Sequence, residues 1–235
     1  MPGLQVSEPV NGVVVVEVDR PPGNLWTIEL CQELTALLAA PPPGAHVLRL
    51  RSSGGVFCLG REREGTTAGA LRDEASALVA VTRAFRRTRL VTVAEVHGDA
   101  AGFGVGVVCA CDVAVAAATA RFSFPEVGIG LAPALVLAWL PRVVGKREAF
   151  WLTATGEQIS AARALQLGLL NAVTPTVEAL RSEVDERVAT LCRSSPRVHA
   201  EIRDLVRAMS PLGDDEALDM SVDRLVVGSL RRTED

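Results

Sequence analysis

The chain has 235 residues, 49% of them hydrophobic and 22% charged, and a formal net charge of −4 with Lys146 as its sole lysine. That length allows one generous core or a core plus a small subdomain, and the charge balance leaves no basic footprint for nucleic acid. The longest apolar run, Ala100–Cys111, stops at Asp112, short of the ~18 residues that a membrane span requires.

Apolar periodicity predicts strands at about 13–19, 47–51, 91–96, 113–116 and 121–124. Interleaved with them it predicts helices at about 27–40, 70–87, 104–111, 133–140, 146–154, 160–167, 177–192 and 196–209. The alternation reads as α/β. Pro41–Gly44 and Ser52–Gly55 are turns within one domain, and Thr174-Pro175 is the expected boundary, giving a core over 1–174 and a helical tail over 175–235. No repeat with a period of 20 to 50 residues stands out. Residues 1–8 are polar and carry no secretory pattern, so a cytoplasmic protein is expected. Five cysteines, an odd number without histidine at metal spacing, argue against disulfides and against a metal site.

Two glycine turns carry the chemical signal. Residues 54–64, GGVFCLGRERE, follow the predicted strand VLRLR, and residues 96–112, VHGDAAGFGVGVVCACD, open an apolar helix. Glycine lets backbone approach a ligand closely, and a helix start presents unpaired N–H groups and a positive dipole end. Two such turns could supply the convergent donors of an oxyanion hole. Downstream, Glu126 in FSFPEVGIG sits among Phe122, Phe124, Pro125, Val127, Ile129 and Leu131. Burial there is expected to raise its pKa towards the working range of a general base.

These blocks, together with VEVDRPPGNLWT and VVGKREAFWLTATGEQISAARALQLGLLNAV, resemble the enoyl-CoA hydratase/isomerase (crotonase) superfamily from about Val13 to Val173. The resemblance implies a spiral of ββα units with a helical C-terminal tail, assembled as a homotrimer or hexamer. It implies action on an acyl thioester of coenzyme A or of a pantetheinyl carrier protein, with no separate cofactor because coenzyme A enters with the substrate. The oxyanion donors fall on the backbone N–H groups of Arg61 and Phe103, and the later of the family's two glutamates falls on Glu126. The earlier one falls on Gly106, which leaves that acid position vacant. Hydration shares its work between two carboxylates, whereas moving a double bond from the 3,4 to the 2,3 position needs one base and a stabilised enolate. Enoyl-CoA isomerase activity is therefore expected ahead of hydratase (lyase) activity or decarboxylation, in fatty acid metabolism; a non-catalytic accessory role is the other class of reading.

Other residues have plainer readings beside the sharp ones. Asp99 is a possible second acid or a helix cap, His97 a turn residue bonding backbone, and Glu62 and Glu64 members of a surface loop. The arginines at 83, 86, 87 and 89 read as a solvated helix face or as a grip on coenzyme A phosphates. GFGVG lacks the order of a dinucleotide fingerprint.

Overall fold

The structure is a computed structural model that describes residues 3–231. Its elements in chain order are β1 (Leu4–Val6), β2 (Val13–Val18), α1 (Ile28–Ala39), β3 (Val47–Ser52), β4 (Val56–Cys58), α2 (Ala68–Arg87), β5 (Val91–Val96), β6 (Asp99–Ala101), α3 (Phe103–Ala110), β7 (Val113–Ala117) and β8 (Arg121–Ser123). A 3₁₀ turn at Pro125–Ile129 follows, then α4 (Ala134–Leu137), α5 (Leu140–Val144), α6 (Lys146–Thr155), β9 (Ile159–Ser160), α7 (Ala161–Gln166), β10 (Ala172–Thr174), α8 (Val177–Cys192), α9 (Pro196–Met209) and α10 (Asp214–Arg231).

Six strands form one sheet in the order β1-β2-β3-β5-β7-β10, parallel except for the β1 edge. A second sheet runs β4-β6-β8-β9, its first three strands parallel to one another. The chain thus repeats one unit: a strand in the large sheet, a short strand in the small sheet, then a helix, as in β3-β4-α2 and β5-β6-α3. This is the ββα spiral that the resemblance implies.

Every residue of β5, VTVAEV, is buried, as a parallel strand covered on both faces requires. On one face, α1 buries Leu30, Leu34 and Leu38, and α2 buries Leu78, Val81 and Phe85, each set at helical spacing. Thr27 and Thr67 cap these helices by accepting from the Leu30 and Ala70 N–H groups. On the other face α8 lays Leu180, Val184 and Val188 on Val47, Val91, Val93 and Val115. At ~1.5–3 kcal/mol for each buried side chain, these three anchor α8 firmly. Arg49 adds a bond from the sheet to α8 by pairing with Glu95 and Asp185.

Two compact units divide between Arg193 and Ser194, so the boundary expected after Thr174 falls inside the first unit. The second unit consists of α9 and α10, joined by an Arg231–Glu201 ion pair at 3.0 Å. Its α9 exposes an apolar stripe of Val198, Ile202 and Val206. No helix among the described residues is long and apolar enough to cross a membrane.

The helix expected over 133–140 is instead the pair α4 and α5, broken at Ala138 and Trp139. Pro141 then sits in the first turn of α5, where its missing N–H would have had no helical partner.

Candidate active site

Strands β4, β6 and β8 run parallel and side by side, so the residues that follow them emerge at one edge of the small sheet. After β4 come Gly60 and Arg61, after β6 Gly102 and Phe103, and after β8 Phe124, Pro125 and Glu126. The two glycine turns and the later glutamate therefore meet, although 65 positions separate Arg61 from Glu126.

At the first turn the Trp26 N–H donates to Gly60 O and the Glu62 N–H to Trp26 O, at 3.1 and 2.9 Å. This bridge straddles Arg61 and leaves its N–H out of the pairing. The Arg61 guanidinium turns aside to Glu74, at 2.6 Å. Glu74 also accepts from the Glu64 and Gly65 N–H groups, and these two bonds followed by Arg61 hold its carboxyl below the usual carboxylate range. Glu62 pairs with Arg20. The stretch expected as a surface loop is tied down at three points.

At the second turn Gly102 has φ +51, a conformation that side chains rarely tolerate, and its N–H donates to Ser123 O at 2.9 Å. Phe103 then begins α3, so its N–H belongs to the first turn, where no intrahelical acceptor exists. The helix start presses on β4: a Cβ on Gly104 would lie 2.2 Å from Cys58 O. Only glycine permits that approach, which brings the Phe103 end of α3 beside the strand leading to Arg61.

Glu126 lies in the first turn of the 3₁₀ segment, preceded by Pro125. Its carboxyl packs against Gly102 so closely that a Cβ there would be 2.6 Å from Oε1, while Oε2 is buried without a hydrogen-bond partner. Burial raises the carboxyl pKa, opposed by its own backbone N–H and by the charges of Arg63 and Arg61. The direction is as expected, but the source differs. Phe122 and Phe124 are buried whereas Val127, Ile129 and Leu131 are exposed, so the shielding comes from the Gly102 side and not from the apolar residues that follow Glu126 in sequence.

Gly106 lies one turn along α3 from Phe103. A Cβ there would meet Trp139 Cζ2 at 3.8 Å and Phe103 Cδ2 at 3.9 Å, so the vacancy expected at this position adjoins an indole. Trp139 in turn stands edge-on to Phe124 with ring centroids 6.4 Å apart, and Trp26 stands edge-on to Phe103 at 5.6 Å. Neither tryptophan has a sequence signal that would have placed it here.

Asp99 stands at the start of β6, the end of that strand away from Gly102, and accepts from the Arg121 N–H at 2.9 Å. It is not the cap of α3, which is Gly102. His97 Nε2 lies 3.1 Å from Gly54 O, bonding a turn as its plainer reading has it. Burial pushes the Cys58 and Cys109 thiols up to about 12, which suits packing and not nucleophilic chemistry. Among the described residues no cluster of three metal-ligating side chains occurs. Arg83, Arg87 and Arg89 border a groove of about 470 Å³ at the C-terminal ends of α1 and α2, whereas Arg61 meets α2 near its beginning.

The sequence profile of the enoyl-CoA hydratase/isomerase family matches residues 8–229. The chain belongs to that family. Among relatives of the family, a protein of Streptococcus mutans named trans-2-decenoyl-[acyl-carrier-protein] isomerase is 27% identical over 91% of this chain and 85% of its own length. A probable enoyl-CoA hydratase of Bacillus subtilis is 26% identical over 83% of this chain and 78% of its own. The crystal structure of an enoyl-CoA hydratase from Mycobacterium smegmatis matches with a TM-score of 0.91 at 26% identity, covering 97% of this chain and 91% of that one. The fold is accordingly that of the crotonases.

Proposed function

We propose that this member of the family moves the double bond of a 3-enoyl thioester to the 2,3 position. One observation carries the reading: a single, partly buried carboxylate, Glu126, stands at the α3 start, and the neighbouring position that could hold a second is Gly106, with an indole beside it. Glu126 takes a proton from C2, and the electron pair released passes to the thioester oxygen, held by the Arg61 and Phe103 N–H groups. The resulting dienolate collapses with a new C2=C3 bond as the same proton returns to C4. No atom is gained or lost, and one carboxylate suffices. The raised pKa of Glu126 brings its basicity closer to that of the enolate it must generate.

The isomerase named among the relatives supports double-bond isomerisation and a carrier-protein thioester, with coenzyme A as the alternative carrier. The substrate supplies its own thiol carrier, and no further cofactor enters the scheme. The site lies in the first compact unit, and we assign α9 and α10 to assembly as a homotrimer or hexamer in the cytoplasm, with the exposed α9 stripe as the support.

The test is a panel of 3-enoyl and 2-enoyl thioesters of matched chain length, on coenzyme A and on a carrier protein, followed by the absorbance of the conjugated thioester. Isomerisation should exceed hydration, and Glu126→Gln should lower it by at least about 100-fold while thioester binding persists. Hydration as fast as isomerisation would refute the reading.

A further inference from the structure

Glu126 and Trp139 flank the start of α3. The carboxylate of Glu126 packs against Gly102, while the Nε1–Cζ2 edge of the Trp139 indole lies within 4 Å of where a Cβ on Gly106 would be. The two glycines lie four positions apart, about 6 Å along the axis, and Phe103 lies between them. A methyl group at 106 would make ordinary contacts, and a longer side chain extending towards Trp139 would meet the indole.

Trp139 is firmly presented there. It falls between α4 and α5, with the buried side chains Val136 and Leu140 anchoring each side. Its N–H donates to Val136 O at 3.1 Å, its carbonyl accepts from the Arg142 N–H at 3.0 Å, and its ring leans edge-on against the buried Phe124.

Addition of water to a 2-enoyl thioester forms a C3–O bond and delivers a proton to C2. It needs a water held beside the acyl chain and a group to deprotonate that water, both placed apart from the base that serves C2 and C4. Gly106 is the neighbouring position on α3 from which a side chain could provide them. Resting on the proposed reading of Glu126 as the base, we propose that Trp139 determines the reaction: its indole fills the space beside Gly106, excludes a reactive water and a second acid from that face, and so restricts the site to proton transfer by Glu126. Gly106 and Trp139 then form a coupled pair, and a carboxylate at 106 becomes useful only once the indole is removed.

The experiment is a double-mutant cycle of Gly106→Glu and Trp139→Ala, with Trp139→Leu as a second truncation should the alanine variant fold poorly. Melting temperature, 2-enoyl hydration and 3-enoyl isomerisation are read on each. Gly106→Glu alone should lower the melting temperature and gain no hydration. The double variant should hydrate at least about 10-fold faster than either single variant, and its melting temperature should exceed that expected from summing the two single effects. Additive melting temperatures, or a folded double variant that hydrates no faster than the singles, would overturn the inference. A parent that fails to isomerise any 3-enoyl thioester would overturn the reading of Glu126 instead, and the melting cycle would still decide whether residues 106 and 139 compete for one space.

Discussion

Replacing Gly102 and Gly106 by alanine, one at a time, should give opposite results from the same chemical change four residues apart. At Gly102 the added methyl would lie 2.6 Å from Glu126 Oε1, where an ordinary contact is about 3.4 Å, so the carboxylate must retreat by about 0.8 Å. Misplacing a catalytic group by ~1 Å costs on the order of 100-fold in rate, and a loss of roughly 10- to 100-fold in kcat/KM is expected. The φ of +51 adds strain of about 1–3 kcal/mol, which at ~2–4 °C per kcal/mol for a chain of this size lowers the melting temperature by roughly 2–12 °C. At Gly106 the methyl meets only atoms at 3.8 and 3.9 Å in a helical conformation, and alanine there should gain about 0.5–1 kcal/mol. Thermal melts and steady-state isomerisation on purified variants read both. If folded Gly102→Ala kept the parent's kcat/KM, the carboxylate beside it would not be the base, and the placement of the reaction at this turn would be wrong.

Four further outcomes follow from the structure. Burial raises the Glu126 pKa in the folded state, so the protonated form is favoured by folding and the charged form costs stability above the ordinary carboxylate range; Glu126→Gln should therefore melt higher than the parent at neutral pH, with the gap closing as the pH falls through the raised pKa towards the ordinary carboxylate range. In the parent, kcat/KM should decline on the acid side as the base becomes protonated. Arg61→Pro should lose about 100- to 1000-fold because it deletes a donor, whereas Arg61→Ala keeps the N–H and should lose much less despite freeing Glu74; comparable losses in two folded variants would remove Arg61 from the oxyanion hole. Sedimentation at micromolar concentration should show a trimer or hexamer that dissociates with Ile202→Asp on the α9 stripe, and a parent that sediments only as a monomer would contradict the assembly.

What was legible in the sequence depended on the length of the signal. The large sheet was visible because VVVVEV, VLRLRS, VTVAEV and VAVAA are apolar runs bounded by turns, and α1, α2 and α8 because their buried residues recur at helical spacing. Strands β4, β6 and β10 were not: each has three residues, and unlike the equally short β8, whose run 121–124 was read, what makes them strands is pairing with neighbours far away in the chain. Helix α10 is absent from the sequence-based expectation as well.

The site divided along the same physical line. Gly102 and Gly104 were conspicuous because dense glycine before an apolar helix has few explanations, and the structure supplies them as a positive φ and a 2.2 Å approach to Cys58 O. Glu126 stood out because an acid in an apolar run must have a reason. Trp139 gave no warning, and Trp26 only stood within the VEVDRPPGNLWT block without a role of its own. An aromatic residue in an apolar segment is ordinary core material, and only the meeting of three strand ends at one edge brings residue 139 to Gly106 and residue 26 to Arg61. A vacancy is still harder to read, since a glycine where a carboxylate is expected looks like a loss until the neighbouring volume is known. Here an indole adjoins that volume, and under the proposed reading Gly106 and Trp139 together limit the face beside Glu126, so that the change would be one of reaction class before it is one of activity.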